Sequence, residues 1–300
     1  SRTLQNKRKK KVIRAIITGL IFVLVAAILY FLGKYIWLLA DDLQQKSIVV
    51  QRGSLEKEIK GRAVVLQVES TYYAKSQGYF ENAVTELEKV RRGALVGYFV
   101  SNNQKTPMYA DQPGLFTMQI DGLEKALHQF DFERSADRVF DYKPAPTSNA
   151  LIESGQGMYK IIDNLSPTRL CIKVKNHNTD FLPQIGQQLY IITRNNQEYT
   201  VNVEKIKTES NALYLLVRME EFYPDLLRER FLDVKLIQRS PEGHIIPEKA
   251  LVKRGNKRGV YCLKGEKLIF KPVQTLMKKD DQLVVKGLED NDFVVLSPRK

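Results

Sequence analysis

The chain has few of the residues that build disulfide frameworks and metal sites. Its 300 residues include two cysteines, Cys171 and Cys262, and three histidines. Each cysteine lies in an apolar run typical of a buried strand, so we predict two buried thiols, with one disulfide as the alternative. The histidines, His128, His177 and His244, have no cysteine or carboxylate at ligand spacing. We therefore predict no metal site and no cofactor.

Catalytic motifs are also missing. The sequence contains no G-x-S-x-G elbow and no P-loop. Its adjacent acidic pairs, Asp41-Asp42, Glu220-Glu221 and Asp280-Asp281, cannot act as dyads on a strand, because neighbouring side chains point to opposite faces. Carboxyl pairs that do acid-base chemistry lie about 5 to 9 Å apart in one site. The sequence therefore favours a protein that is not an enzyme.

Acidic residues are absent from the first 40 positions, which carry eight basic ones. The whole chain carries a net charge of +13, so the remaining 260 residues carry +5. A surplus this small over 260 residues does not indicate a nucleic-acid surface. We predict no nucleic-acid partner.

A long apolar run follows this basic start. Residues 15–33 are uncharged, and at about 1.5 Å per residue they form a helix of roughly 28 Å, close to the hydrocarbon thickness of a bilayer. Aromatic rings follow at the far end, where the membrane interface favours them. We predict a transmembrane helix over residues 15–37, with the anchoring side chains Ile16, Leu20, Phe22, Leu24, Ile28, Tyr30 and Trp37.

The charge asymmetry predicts the orientation of this helix. Basic segments stay in the cytoplasm, so residues 1–14 form a cytoplasmic tail whose topology-setting residues are Lys7, Arg8, Lys9, Lys10, Lys11 and Arg14. The chain beyond about residue 40 is then extracytoplasmic, anchored once in the cell membrane, with the lipid bilayer as its first partner. Two alternatives are a cleaved signal peptide, which has a shorter apolar stretch, and a buried core helix, which would show a polar stripe.

Beyond the apolar run, strand-like segments dominate. Alternating or β-branched runs recur over 47–100, 170–219 and 245–296, separated by turn clusters. Over 123–140 the apolar residues change to helical spacing, which predicts one or two short helices. The predicted fold class is mainly β: an N-terminal transmembrane helix followed by a modular rod with a small helical insert.

The order of these segments resembles a known family. The C-terminal segments IPEKALV, GVYCLKGEKLIFKPV and LVVKGLEDNDFVVL are similar to the membrane-proximal domain of the HlyD-like periplasmic adaptors, the membrane fusion proteins of efflux and secretion systems. Residues 187–238, with Gly186 at their start and Arg230 before the last strand, resemble the family's β-barrel. The segments VRRGALVGYFV, MYADQPGLFTM and SGQGMYKIID resemble the two halves of its lipoyl-like domain, a barrel-sandwich hybrid.

The resemblance implies a division into modules. They are a linker with the first strands of a membrane-proximal domain (38–61), a lipoyl-like domain (62–165) with an insert (120–149), a β-barrel domain (166–242) and the rest of the membrane-proximal domain (243–300). We further expect residues 47–61 to pack with residues 245–296 in that membrane-proximal domain.

One departure from the family concerns its helical hairpin. In exporters a long α-helical hairpin separates the two lipoyl halves and meets an outer-membrane duct. Here about seven residues, 101–107, separate them, which is too short for a crossover. We predict a tight reversal at Asn102-Asn103, whose side chains tolerate left-handed backbone. The chain is identified as a hairpin-less variant for which direct contact with a duct is not expected, and a Gram-positive-type envelope is preferred.

The resemblance implies an adaptor that assembles with a transporter of the cytoplasmic membrane, ABC-type favoured, and that forms homo-oligomers. One alternative is a non-transport envelope scaffold or regulator, associated with the cell wall or division, and another is an extracytoplasmic enzyme. The insert is a candidate partner surface, since long connections are often functional, and its candidate residues are Leu123, Leu127, Phe130, Phe132, Val139 and Phe140. The alternative is that the insert caps the lipoyl-like core.

Overall fold

The structure of the protein is a computed structural model that describes residues 24–35, 46–144, 151–175, 181–209, 211–265 and 267–296. Four of the seven predicted anchoring residues and all of the topology-setting residues lie outside these ranges, namely Ile16, Leu20, Phe22, Trp37, Lys7, Arg8, Lys9, Lys10, Lys11 and Arg14. The described part of the anchor is helical, and Leu24, Ile28 and Tyr30 are exposed on it. Within the described residues, no helix combines the length and the apolar character needed to span a bilayer.

The described chain is mainly β, as predicted. Its helices are α1 (24–35), α2 (Glu124–His128) and α3 (Phe132–Ser135), with 3-10 turns at Arg138–Phe140, Pro224–Arg228 and Glu248–Ala250. Its strands are β1 (Ser47–Val49), β2 (Gln51–Gly53), β3 (Glu56–Leu66), β4 (Glu69–Tyr73), β5 (Tyr79–Asn82), β6 (Lys89–Val90), β7 (Leu95–Ser101), β8 (Gln104–Tyr109), β9 (Gly114–Thr117), β10 (Gly157–Ile162), β11 (Arg169–Lys175), β12 (Gln188–Thr193), β13 (Glu198–Glu209), β14 (Ala212–Met219), β15 (Phe231–Arg239), β16 (Gly243–Pro247), β17 (Val252–Arg254), β18 (Lys257–Lys264), β19 (Lys267–Pro272), β20 (Gln274–Lys279), β21 (Gln282–Lys286) and β22 (Phe293–Val295).

The chain divides into two compact units. The first, which we call the terminal unit, combines the residues up to Leu55 with those from Ser240 onward, and the second, the central unit, is Glu56–Arg239. The terminal unit has two sheets. One has the order β1-β22-β18-β17 with β19 also paired to β18, and the other has the order β2-β16-β21-β20. Their shared core includes Val50, Ile246, Val260 and Val294.

A closed antiparallel barrel lies in the central unit, with the strand order β11-β14-β13-β12-β15-β3. Alternate residues on each strand face its interior, as in Leu170, Ile172 and Val174 of β11, which are fully buried. Each large aliphatic side chain buried in this way stabilises the fold by about 1.5–3 kcal/mol. The alternation of inward-facing and outward-facing residues along these strands thus forms the barrel core.

Only part of residues 47–61 pairs with the C-terminal strands, in contrast to our expectation. β1 pairs with β22 and β2 with β16, whereas β3, from Glu56 onward, pairs with β15 and β11. Residues 56–66 therefore belong to the barrel. We expected residues 56–61 to pack with residues 245–296 and residues 62–66 to begin the lipoyl-like domain, and both expectations are wrong. The physical reason is closure: without β3, both β11 and β15 would be open edges.

The other strands of the central unit form a small sandwich. Its sheets have the orders β4-β10-β9-β6 and β5-β7-β8. Its core contains a cluster of aromatic rings, in which the ring centre of Tyr159 lies 4.5 Å from that of Tyr72 and 5.0 Å from that of Phe80. The predicted reversal is present: Ser101 pairs with Gln104 across a two-residue turn. Both turn residues, Asn102-Asn103, have positive φ, at 50° and 61°, the backbone that a type I′ hairpin needs.

The insert covers the outer face of the barrel. Four of the candidate partner residues, Leu123, Leu127, Phe132 and Val139, are buried against outward-facing side chains of β3, β11 and β14, and Phe130 and Phe140 pack at the edge of that cluster. The expectation of an exposed partner surface is therefore wrong for these four. The alternative, a cap on the sandwich core, is also not what this cluster forms. The reason is that the barrel's outer face is apolar here, at Val64, Leu66, Cys171, Ala212, Tyr214 and Leu216.

Both cysteines are buried free thiols. Cys171 lies beneath the insert and Cys262 in the core of the terminal unit. Burial raises the pKa of the Cys171 thiol to about 12 and that of the Cys262 thiol to about 11. Neither thiol is therefore deprotonated at neutral pH, as is typical of cysteines that pack in a core and do not react.

Candidate functional site: a buried ionic junction and a basic cleft

Five charged side chains meet inside the central unit, and we call them the ionic junction. They come from β4, β10, the start of the insert and the residue before β15, and they are Glu69, Asp121, Glu124, Lys160 and Arg230. The side chains of Glu69, Glu124, Lys160 and Arg230 are between 3% and 7% exposed, and that of Asp121 is 16% exposed. An isolated charge at such depth would cost several kcal/mol.

Every charge in the junction has a partner of opposite sign. Lys160 Nζ lies 2.9 Å from Glu69 Oε2 and 3.2 Å from Glu124 Oε1. Arg230 donates from Nη2 to Glu69 Oε1 at 2.5 Å and from Nε to Asp121 Oδ2 at 2.6 Å. It also donates to the carbonyl oxygen of Val65 on β3 at 3.1 Å. Glu69 thus accepts from both cations.

The local backbone also holds the two acidic residues of the insert. The amides of Asp121 and Gly122 donate to the Glu124 carboxylate at 2.8 and 2.9 Å, and the amide of Leu123 donates to Asp121 Oδ1 at 2.8 Å. Burial lowers the pKa of the Arg230 guanidinium, but attraction to Glu69 and Asp121 outweighs it and leaves that pKa above its ordinary value. Arg230 is therefore always charged.

The junction links three parts of the central unit. Glu69 and Lys160 belong to the sandwich, Asp121 and Glu124 to the insert, and Arg230 to the barrel. Because each ion pair needs its partner in place, any displacement of one part would leave a buried charge unpaired. The junction therefore fixes the position of the sandwich and the insert on the barrel.

A basic cleft of about 740 Å³ opens on the outer face of the barrel, beside the insert. Six cationic side chains line it, with two acidic ones, Asp141 and Asp233; the cations are Lys60, Arg62, Lys173, Lys175, Arg194 and Lys235. They arise from strand register, because Lys60 lies opposite Lys235, and Arg62 lies between Lys173 on one neighbouring strand and Asp233 on the other. Like charges opposite each other on a sheet are destabilising, so this positive surface is maintained at a cost to stability.

Most cations of the cleft have no acidic partner. Arg194 forms an ion pair with Asp233, and Lys235 pairs with Glu58 at 3.2 Å. Among the described residues, no carboxylate pairs with the other four, which are Lys60, Arg62, Lys173 and Lys175. They are free to bind an anionic group.

Aromatic rings position two of these cations. Lys173 Nζ lies 5.6 Å from the ring centre of Phe140 and 5.3 Å from that of Tyr214, and the Arg62 guanidinium lies 4.8 Å from that of Phe231. Such cation–π contacts orient the charge without neutralising it. Phe140 is the one candidate partner residue that lines the cleft.

The sequence did not predict either of these two sites. Arg230, Asp121, Glu124 and Lys160 lie within segments that the sequence marks as family-like or as the insert, but the role of all five residues in the ionic junction was missed. Lys160 offered a signal, because it interrupts the apolar run Met158–Ile162, and a charge inside such a strand requires a buried partner. The cleft was missed because its cations are far apart in sequence and come together by strand register.

Residues 170–240 match the family model of an RND-related β-barrel domain. The matched segment extends from β11 through β15 and so contains five of the six barrel strands. The barrel is therefore similar to an RND-related β-barrel domain, which supports for this segment the resemblance stated from the sequence. No curated protein sequence matches the chain.

Several solved structures are similar to the chain at low sequence identity. ZneB from Cupriavidus metallidurans is 11% identical, with 83% of this chain and 91% of that one covered and a TM-score of 0.29. MacA from Actinobacillus actinomycetemcomitans is 12% identical, with 84% and 100% covered and a TM-score of 0.39. The membrane fusion protein Spr0693 from Streptococcus pneumoniae R6 is 11% identical, with 60% and 98% covered and a TM-score of 0.33. These scores are below 0.5, so the function proposed below rests on the barrel match and on the chain's own residues.

Proposed function

We propose that the chain is a single-pass, membrane-anchored adaptor that assembles with a transporter of the cytoplasmic membrane for efflux or secretion. The observation that carries this proposal is the RND-related barrel at residues 170–240. The apolar run at 15–33, preceded by a basic tail, supports the anchor and its orientation. An ABC-type transporter and self-association of the adaptor follow from the family resemblance.

The mechanism that we propose is assembly without chemistry. The ionic junction holds the sandwich, the insert and the barrel in one arrangement, so a partner meets a preformed surface and less ordering entropy is lost on binding. The two-residue turn between β7 and β8 provides no helical hairpin. Direct contact with an outer-membrane duct is therefore not part of the proposal.

Co-purification tests this proposal. The full chain, carrying a C-terminal tag, is isolated from gently solubilised membranes and its partners are identified by mass spectrometry. The proposal expects a polytopic transporter in amounts comparable to the bait. Arg230→Ala, whose disrupted junction should reduce transporter recovery, is compared with the matched control Arg228→Ala, which removes only an exposed ion pair and should leave recovery unchanged. Recovery of envelope-assembly proteins without a transporter would contradict the adaptor role.

A second candidate function follows from the basic cleft. Its unpaired cations would suit a non-transport envelope scaffold that binds an anionic polymer of the cell envelope. Polyphosphate, with neutral dextran as the comparison, is a direct probe of this function. The triple variant Lys60→Gln, Arg62→Gln, Lys173→Gln should lose at least tenfold in affinity, and Lys89→Gln, on the sandwich, should not. No binding of polyphosphate by the unmodified chain would exclude this candidate.

A further inference from the structure

The terminal unit has an exposed row of apolar side chains across four neighbouring strands. Val49 of β1 lies opposite Phe293 of β22, which lies opposite Leu263 of β18, which lies opposite Leu268 of β19. All four are between 39% and 47% exposed. The other face of the same strands carries core residues such as Val260 and Val294. The row therefore lies on the outward face of this sheet, and we call it the apolar row.

Aromatic rings continue the same face along the strands. Tyr261 and Phe270 lie opposite each other two residues from the row, and their rings pack edge to face at 5.6 Å. Rings of this kind favour the boundary between water and lipid because they combine an apolar body with a polarisable face or a polar tip. The outward face thus passes from aliphatic to aromatic side chains.

Cations lie close to this face in the sequence. Residues 252–272 carry seven lysines and arginines and one acidic residue, Glu266. Arg254 and Lys257 lie opposite each other beyond the aromatic pair, and the Arg254 guanidinium is 5.9 Å from the Phe270 ring centre. Only Lys271 has an acidic partner among the described residues. The other six are exposed. By strand alternation Arg254 and Lys257 share the outward face, whereas the pairs Lys253–Arg258 and Lys264–Lys267 face the other way at the strand ends.

An apolar row with unpaired cations on the same face matches the surface of an anionic bilayer. Apolar side chains enter the boundary between headgroups and acyl chains, and lysines and arginines are attracted to anionic headgroups within about a Debye length. A protein partner with an apolar surface could cover the row, but it would also cover Arg254 and Lys257, which share this face and have no acidic partner among the described residues. Charge complementarity therefore favours lipid.

The sequence places this face within reach of a bilayer. Thirteen residues, 34–46, separate the apolar run from β1, and fully extended they span at most about 45 Å. Val49, at the end of β1, belongs to the row itself. A tether of this length keeps the local concentration of bilayer high, so weak individual contacts suffice.

We propose that the outward face formed by Val49, Phe293, Leu263 and Leu268, with Arg254 and Lys257 at one end of it, binds directly to the surface of an anionic lipid bilayer. The apolar row dips below the headgroups, the aromatic pair lies at their level, and the cations contact lipid phosphates. This binding is additional to the proposed anchor, and it would hold the terminal unit against the membrane.

The test uses the full chain in lipid nanodiscs. Trp37, the single tryptophan, is replaced by Phe, and Phe293→Trp then supplies a reporter within the row. With brominated lipids that include phosphatidylglycerol, we expect its emission to be at least halved and to shift to the blue. Tyr109→Trp, at an exposed position of β8, is the matched control and should show neither change.

Two comparisons decide the outcome. Neutral phosphatidylcholine nanodiscs or high salt should restore most of the emission, because both remove the attraction to the cations. Leu263→Asp with Leu268→Asp should abolish quenching while leaving the fold intact, since both positions are exposed. Quenching that is absent in anionic nanodiscs, equal in neutral ones, or replaced by a blue shift that depends on protein concentration and indicates a second copy, would overturn the proposal. If the chain does not incorporate into nanodiscs, the anchor fails separately, and quenching by added brominated vesicles still tests the face.

Discussion

Arg230 and Glu69 form a buried ion pair across 161 positions of sequence. One residue precedes the last barrel strand and the other begins the sandwich, so a single contact joins the two. Lys160 binds the same carboxylate from β10. Glu69 is therefore the centre of the junction, and the arrangement of the central unit depends on it.

Removing Arg230 should destabilise the protein strongly. Arg230→Ala leaves the Asp121 carboxylate without a cation and the Glu69 carboxylate with Lys160 alone, which costs about 3–5 kcal/mol. The measurement is urea unfolding followed by circular dichroism. Arg228→Ala, which removes only an exposed pair with Asp225, is the control and should cost under about 1 kcal/mol. Equal losses of stability in the two variants would show that the buried junction stabilises the protein no more than an exposed ion pair does.

The insert should be essential to the stability of the barrel. Phe132→Ala removes a ring buried between α3 and the outer face of the barrel, with an expected loss of about 3–5 kcal/mol. Arg134→Ala, on the exposed side of the same helix, should change stability by no more than about 0.5 kcal/mol. Thermal unfolding of both variants gives the comparison. A negligible loss in the first would mean that the insert is docked only weakly.

The turn between β7 and β8 makes a separate prediction. Asn103 has φ of 61°, which a β-branched residue adopts at a cost of about 1–2 kcal/mol. Asn103→Val should lower stability by this amount, while Asn103→Gly should leave it unchanged or raise it, since glycine adopts positive φ freely. If chemical denaturation shows that the valine variant is at least as stable as the glycine variant, the turn has another backbone conformation.

Asp292 in the terminal unit gives a pH dependence. Burial raises the pKa of its carboxyl, but hydrogen bonds from the Glu289 amide and from Lys271 outweigh burial and lower that pKa below its ordinary 3.8. A carboxyl whose pKa is depressed by folding stabilises the protein above its unfolded pKa and loses that contribution as the pH falls through its folded pKa.

Asp292→Asn should therefore cost about 1 kcal/mol at neutral pH. The gap between this variant and the unmodified protein should close as the pH falls below 3.8. Urea midpoints measured across the acid range test this, with Asp225→Asn at an exposed site as the control. A difference in stability that keeps its full size after Asp292 is protonated would contradict the stabilising role of the ionised Asp292 carboxylate.

The buried thiols should be inert in the folded protein. Because burial raises the pKa of Cys171 to about 12 and that of Cys262 to about 11, little thiolate exists at pH 8. Labelling with a thiol-specific reagent should require unfolding, and two thiols should then react. Rapid labelling of the native protein would place at least one thiol at the surface.

Local chemistry predicted the parts of the fold that depend on neighbouring residues. The two asparagines at 102 and 103 specified a reversal because their own side chains favour it. The alternation of Leu170, Ile172 and Val174 likewise specified a barrel strand. In both cases the deciding interactions lie within a few residues, which is why the sequence alone was enough.

Long-range pairing could not be derived in the same way. Residues 47–66 are strand-like throughout, and nothing local says that β3 pairs with β15, about 170 positions away. Similarly, the insert's apolar residues were found, but the surface that they cover was not. β14, with buried residues on both faces, held the missing signal, since a barrel strand apolar on both faces must be covered outside.

The central claim is that this chain works by assembling with a membrane transporter, and cross-linking in intact cells tests it most directly. A lysine-reactive, membrane-impermeant reagent is added to cells that produce the tagged full chain at its natural level. The chain is then purified under denaturing conditions, so that only covalent partners remain. The account predicts cross-links from lysines of the extracytoplasmic region to extracytoplasmic loops of one polytopic transporter. Abundant cross-links that connect the chain only to wall or division proteins, with none to a transporter, would contradict it.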